Sequence, residues 1–259
     1  MDGSAIDKQI EELTEHAIKA GSRLILLDFD GTLVDFTTDP VTTRPSKELL
    51  ELLEKLASGP QNQLIIISGR KQDEIDRLVG HLPIDILAEH GAFIRENSHW
   101  KTLLNCSTDW KDEVQSVMEK YKEITSGSFI EEKIYSLAWH YRKSQPGTGE
   151  ANAKAMIREL DKIVSEQHIK ILRGKKVVEI IGENINKGVA TQYLINRNKY
   201  DFILAIGDDI TDEDMFRILI NNSHAFTVKI GKGDTFARYR LNNNQQVMHL
   251  LKRLQIALN

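Results

Sequence analysis

The chain has 259 residues, 41% hydrophobic and 28% charged, a balance that suits a buried globular core and excludes disordered, fibrous and membrane-spanning classes. Against 38 Asp and Glu stand 34 Lys and Arg, a formal charge of −4, so no global positive field recruits nucleic acid or an anionic membrane. A single cysteine, Cys106, excludes an intrachain disulfide and cysteine-rich zinc modules and fits a reducing cytoplasm. The first twenty residues are acidic and lack an apolar core, and no later stretch reaches the roughly 18 apolar residues of a bilayer span, which predicts neither leader nor membrane segment.

Ile6, Ile10, Leu13, Ala17 and Ile18 recur at helical spacing until Gly21, and a continuous apolar run, Leu24 to Asp28, follows. Such a run reads as a strand buried on both faces. Pro45 is expected to open a helix striped by Leu49, Leu52, Leu53 and Leu56; a strand Leu64 to Ile67, a helix Gln72 to Val79 and a strand Ile84 to Ala88 come next. Strands alternating with helices predict a Rossmann-like parallel sheet.

From about residue 104 to 183 the grammar changes. Trp110 to Ile124 is amphipathic, Phe129 to Tyr135 and Ser136 to Arg142 alternate as half-buried strands, and a helix carries Ala153, Met156, Ile157, Leu160 and Val164. Two short strands, Ile169 to Arg173 and Val177 to Ile181, flank the turn Gly174-Lys175-Lys176. The expectation is an α/β core, 1–103 with 184–259, interrupted by an α+β cap, 104–183, hinged at its two junctions. The core rhythm then returns: a helix from Lys187, a strand Phe202 to Ile206, a helix after Asp212, a strand Ala225 to Ile230 and a last helix from about Gln245.

Three of the buried-type strands end in reactive residues: Asp28-Phe29-Asp30-Gly31-Thr32, Ser68-Gly69-Arg70 and Gly207-Asp208-Asp209. In an open parallel sheet, ligands bind at the carboxyl ends of the strands, so these groups converge. Singly, each motif reads as a turn or a helix cap. Together, Asp28, Asp30, Asp208 and Asp209 crowd one pole with negative charge that calls for a cation, and hard oxygen donors imply Mg²⁺. A carboxylate beside Mg²⁺ is a nucleophile toward phosphorus, which makes Asp28 the candidate for an aspartyl phosphate and Asp30 the acid and base. Main-chain amides after Asp28, the Ser68 hydroxyl and Lys187 are the expected donors to the transferred phosphoryl group.

These four motifs, with Asp212 after the last, resemble those of the haloacid dehalogenase superfamily of phosphotransferases. The resemblance implies Asp28 as nucleophile, Asp30 as acid/base, Ser68 and Lys187 as phosphate ligands, and Mg²⁺ held at Asp208 with Asp28, Asp30, Asp209 and Asp212. An aspartate at position 30 points to a phosphatase or mutase within that superfamily. Further stretches are similar to one family, the trehalose-6-phosphate phosphatases: Ile66-Ile67-Ser68-Gly69-Arg70, Ala88-Glu89-His90-Gly91, Glu131-Glu132-Lys133, Trp139-His140-Tyr141-Arg142, Lys176-Val177-Val178-Glu179-Ile180 and Gly207 to Glu213. That likeness implies Gly69 as a phosphate contact and Arg70, Glu131, Lys133, His140, Arg142 and Glu179 as substrate ligands. It implies hydrolysis of trehalose 6-phosphate in the cytoplasm, with trehalose-6-phosphate synthase as a fused or associated partner. Sucrose phosphate, a mannosylglycerate phosphate or a non-catalytic partner domain of the synthase are the other readings left open.

Overall fold

A computed structural model describes residues 3–35 and 43–258 of the chain. It divides into two compact units, Met1–Leu103 with Asn186–Asn259, and Leu104–Ile185. The chain opens with α1 (Gly3–Lys19), β1 (Arg23–Asp28), α2 (Lys47–Ala57), β2 (Asn62–Ile67), α3 (Gln72–Val79) and β3 (Asp85–Ala88), and a 3-10 turn at Glu89–Gly91 leads into β4 (Phe93–Glu96) and β5 (His99–Thr102). The smaller unit holds α4 (Lys111–Glu123), β6 (Phe129–Glu132), β7 (Ser136–His140), α5 (Thr148–Val164), β8 (Ile169–Gly174) and β9 (Val177–Gly182). The larger unit resumes with α6 (Lys187–Arg197), β10 (Phe202–Gly207), α7 (Ile210–Leu219), β11 (Ala225–Ile230), β12 (Tyr239–Leu241) and α8 (Asn244–Leu258).

The large sheet runs β12-β11-β10-β1-β2-β3-β4-β5. Its first six strands are parallel to one another. Every residue of β1 and β10 is buried, which is why both read as unbroken apolar runs: helices cover both faces and leave no polar side to alternate. The last two strands depart from the expected all-parallel sheet, because β4 and β5 are antiparallel additions. Their hairpin closes through Asn97 and Ser98, both left-handed with φ of 49° and 64°, the conformation a two-residue turn with matching twist demands. Two helices begin elsewhere than expected. α2 starts after Ser46, whose hydroxyl accepts from the Leu49 amide at 3.2 Å, so Pro45 stays outside it. α7 begins at Ile210, before Asp212, because Asp209 and Asp212 cap its first turn reciprocally.

The smaller sheet is antiparallel throughout, in the order β6-β7-β9-β8. Trp110, Met118, Leu137, Trp139, Met156 and Ile180 share its core, in which α4 and α5 pack on the sheet. β7 is buried from Ser136 to Trp139 instead of half-buried, since it lies inside the sheet with β6 and β9 on either side.

Two close approaches place the elements that matter for chemistry. Gly91 has φ of +100°, and a Cβ there would lie 2.5 Å from the Ala190 Cβ, so the start of α6 packs onto the 3-10 turn only because residue 91 has no side chain. A Cβ on Gly207 would sit 2.2 Å from the Asp212 carboxyl carbon, so β10 can bring its end against the first turn of α7. Gly91→Ala is therefore expected to lower stability by roughly 1–3 kcal/mol through a left-handed alanine and a displaced α6. Urea unfolding measures this, and an unchanged midpoint would contradict the packing argument.

Candidate active site

In the large sheet β10, β1 and β2 are consecutive neighbours, with Leu27 opposite Ile206 and Asp28 opposite Ile67. The residues that follow the three strands therefore share one edge. Asp28 stands at its centre and is buried, as are Ser68, Lys187 and Asp212. Lys187, the first residue of α6, donates to Asp28 Oδ1 at 2.6 Å and to Asp212 Oδ1 at 2.7 Å. Asn186 caps that helix by accepting from the Val189 amide at 2.8 Å, which fixes where Lys187 begins its reach. Lysine is ordinarily a surface residue; here its side chain is 2% exposed.

Burial alone would push the Lys187 ammonium toward losing its proton, but the Asp212 and Asp28 carboxylates outweigh it and hold its pKa above the ordinary lysine value. Burial pushes the Asp28 carboxyl well above the usual carboxylate range; Asp212 adds to the rise and Lys187 offsets part of it. Oxygens of Asp28, Asp208 and Asp212 lie within 4.8 Å of one another. Asp28 Oδ2 is buried and has no hydrogen-bond partner. A buried carboxylate oxygen left in that state is costly unless something positive meets it, and three carboxylates of hard oxygen character fit a small divalent cation.

Two of the expected metal ligands, Asp30 and Asp209, are not in this group of three and have other partners. Asp30 is clasped by Arg70, which donates from Nε to Oδ2 at 2.7 Å and from an Nη to Oδ1 at 2.6 Å, the two-pronged geometry that a guanidinium offers a carboxylate. Asp209 spends its carboxylate on the Ile210 amide at 2.8 Å, as the cap of α7, while Asp212 Oδ2 accepts from the Asp209 amide at 2.9 Å. Arg70, expected beside the sugar, is thus engaged with Asp30 and lies 4.0 Å from Glu74, its side chain 8% exposed. Among the main-chain amides expected for phosphate, that of Gly31 is already given to the Val34 carbonyl at 2.7 Å.

Ser68 Oγ accepts from the Arg70 amide at 3.2 Å and does not cap α3, whose first turn is preceded by Lys71. The loop around Gly69 is held by the next turn: the His90 and Glu89 amides donate to the Ser68 and Arg70 carbonyls, each at 3.0 Å. Glu89 and His90 have φ of 48° and 58°, two consecutive left-handed residues without glycine's freedom, a strain that persists where surrounding contacts over-determine it. The function of this turn in the fold is to hold Ser68-Gly69-Arg70.

The smaller unit has its own polar cluster. The register sets Glu131 opposite Ala138 and Ala138 opposite Glu179, so both glutamates share one face of the sheet. Glu179 Oε1 accepts from Lys133 Nζ at 2.9 Å and from Ser136 Oγ at 2.6 Å; Ser136 had not been anticipated. His140 Nε2 lies 2.9 Å from Glu131 Oε2 and its ring stacks on Phe129. Burial pushes Glu131 up, yet the His140 hydrogen bond and Lys133 outweigh it and hold the carboxyl below its ordinary value. Arg142 donates to the Lys175 carbonyl at 3.0 Å, on the turn between β8 and β9.

The family profile of the trehalose-phosphatases matches residues 26–245. The chain belongs to that family. It is 39% identical, over 87% of its length, to the trehalose-phosphatase of Schizosaccharomyces pombe, and covers 30% of that protein. It is 36% identical, over 95% of its length, to a bifunctional trehalose-6-phosphate synthase/phosphatase of Thermoproteus tenax, covering 34% of it. The chain thus spans about a third of the curated relatives it matches. The solved C-terminal domain of the C. albicans trehalose-6-phosphate phosphatase superposes with a TM-score of 0.90 at 31% identity, over 95% of this chain and 96% of that one. The fold is that of the haloacid-dehalogenase-like hydrolases, and a divalent metal is implied by the family.

Lys187→Met leaves two buried carboxylates facing each other without their cation, a loss of the kind that costs about 3–5 kcal/mol. The expected result is that size of drop in unfolding free energy in metal-free buffer, partly restored by a divalent cation. Loss of less than about 1 kcal/mol would show that the ammonium does not hold the cluster together.

Proposed function

We propose that the protein hydrolyses trehalose 6-phosphate to trehalose and inorganic phosphate through an aspartyl phosphate on Asp28, with Mg²⁺ as the cation. The observation that carries this reading is the state of Asp28: one oxygen tied to Lys187 and the other buried and unspent. Lys187 holds Oδ1 and so presents Oδ2 to phosphorus. Asp208 and Asp212, with the Asp28 oxygen that does not attack phosphorus, would hold Mg²⁺, whose charge supplies neutralisation of the phosphate oxygens. As the Oδ2–P bond forms and the bond to the sugar oxygen breaks, Asp30, entering the cycle as the carboxylic acid, gives that oxygen its proton and becomes the carboxylate; it regains a proton from the water that cleaves the acyl phosphate. Arg70 donates to both oxygens of the Asp30 carboxylate, so one of these hydrogen bonds gives way whenever Asp30 carries the proton. Ser68, the Gly69 backbone and Lys187 are the proposed phosphate contacts.

The sugar is assigned to Glu131, Lys133, His140, Arg142 and Glu179, carboxylates and donors that suit a disaccharide's hydroxyls. The family likeness implies Arg70 as a substrate ligand, and its pairing with Asp30 supports a place beside the reacting group. A synthase module, fused or associated, is the proposed partner, on the strength of the bifunctional relative, and the cytoplasm the proposed compartment. Among the described residues no helix is long and apolar enough to cross a membrane.

Phosphate release from a panel of sugar phosphates, with and without Mg²⁺, tests this. Trehalose 6-phosphate should exceed glucose 6-phosphate in kcat/KM by a large factor, up to about 10⁴, because a monosaccharide leaves polar groups built for a second ring unpaired. Release should need the added cation, and Asp28→Asn should abolish it. Equal rates on both sugars would remove the trehalose assignment; a sucrose phosphate or mannosylglycerate phosphate preferred over both would replace it; activity in Asp28→Asn would remove the mechanism.

A further inference from the structure

Lys229 is a buried lysine that the chemistry above does not use. It lies in β11 opposite Gly207 of β10, beside the residue from which the chain passes into Asp208, Asp209 and α7. Its side chain is 7% exposed. Nζ donates to the Asp209 carbonyl at 3.2 Å and stands 3.2 Å from Glu213 Oε1. The other Glu213 oxygen accepts from the Phe236 amide at 2.9 Å and from Thr235 Oγ1 at 3.1 Å. One ammonium and one carboxylate therefore tie three pieces of backbone together: the turn 207–210, the first turn of α7 and the segment that follows β11.

That turn and the first turn of α7 carry two of the three carboxylates of the cation cluster, Asp208 and Asp212. Like charges held within a few ångströms push apart, so this stretch has to be held against the repulsion of its own carboxylates. Lys229 bonds the carbonyl of Asp209, the residue that follows Asp208. We propose that Lys229 and Glu213 form a strut that holds the 207–212 turn in its cation-binding shape, and so set the affinity for the divalent cation without touching it. This rests on the reading of Asp28, Asp208 and Asp212 as a divalent-cation site. Lys229 is a positioning residue, and partners that orient metal ligands are typically worth about 10–100-fold in metal affinity.

The sign of the effect separates a strut from simple electrostatics. Were Lys229 felt only as a charge, its removal would leave the site more negative and tighten cation binding, while Glu213→Gln would weaken it. A strut weakens in both cases. The experiment is calorimetric titration of Mg²⁺ into the metal-free protein, with no turnover involved. Lys229→Met and Glu213→Gln should each raise the Mg²⁺ dissociation constant by about tenfold or more. Lys229→Arg should stay within about threefold, and the double variant should be little worse than either single one, as expected of two groups acting as a unit. Should Lys229→Met fail to fold by circular dichroism, Glu213→Gln and the arginine variant carry the test. Tighter or unchanged Mg²⁺ binding in the single variants, or losses that add in the double variant, would overturn the strut. Absence of Mg²⁺ binding by the unaltered protein would overturn the cation site as well.

Discussion

One ammonium group, Lys187 Nζ between the carboxylates of Asp28 and Asp212, is the contact on which the site depends. Its three residues come from the end of β1, the start of α6 and the first turn of α7, far apart in the chain and joined only by the sheet order. Two like charges could not be buried at this spacing alone, and a lone buried lysine would be as costly. Three carboxylates and one ammonium leave two negative charges, the complement of a divalent cation. The backbone features around it serve this placement. Gly91 lets α6 come down on the 3-10 turn, Gly207 lets Asp212 lie against the end of β10, and Asn186 starts α6 where Lys187 can reach.

The arrangement also sorts carboxylates that look equivalent along the chain. Asp28 and Asp30 are two residues apart, yet Asp28 faces the ammonium while Asp30 faces a guanidinium. Asp208 and Asp209 are adjacent, yet Asp208 joins the cluster while Asp209 caps a helix. In each pair the neighbour's partner decides the role: a group with an unspent oxygen can take a cation or a phosphorus, and one held by fixed donors keeps its direction. A nucleophile and a proton carrier need these different environments.

Much of this was legible in the sequence. Apolar runs without alternation marked β1, β2 and β10 as buried strands, and reactive residues just past each run pointed to one edge of a parallel sheet. Lys187 was legible from its place at the head of a helix. What escaped is what local patterns cannot encode. The spacing of acidic residues does not tell whether a carboxylate will meet a cation, an arginine forty residues away or its own helix amide, so spacing alone cannot separate Asp30 and Asp209 from Asp28, Asp208 and Asp212. The β4–β5 hairpin turns at Asn97-Ser98, without the glycine that usually marks such turns. Lys229 and Ser136 sit inside strands, and their partners Asp209, Glu213 and Glu179 lie on other elements, so only the fold brings them together.

The most direct measurement of the central claim is rapid acid quench of the protein with trehalose 6-phosphate labelled on phosphorus, followed by peptide mapping of bound label. The account predicts label on the peptide containing Asp28 within a single turnover, and none when Lys187 is replaced by methionine and Oδ1 is no longer held. Release of phosphate with no covalent label, or label on another residue, would contradict the assignment of Asp28 as the nucleophile that the Lys187 ammonium prepares.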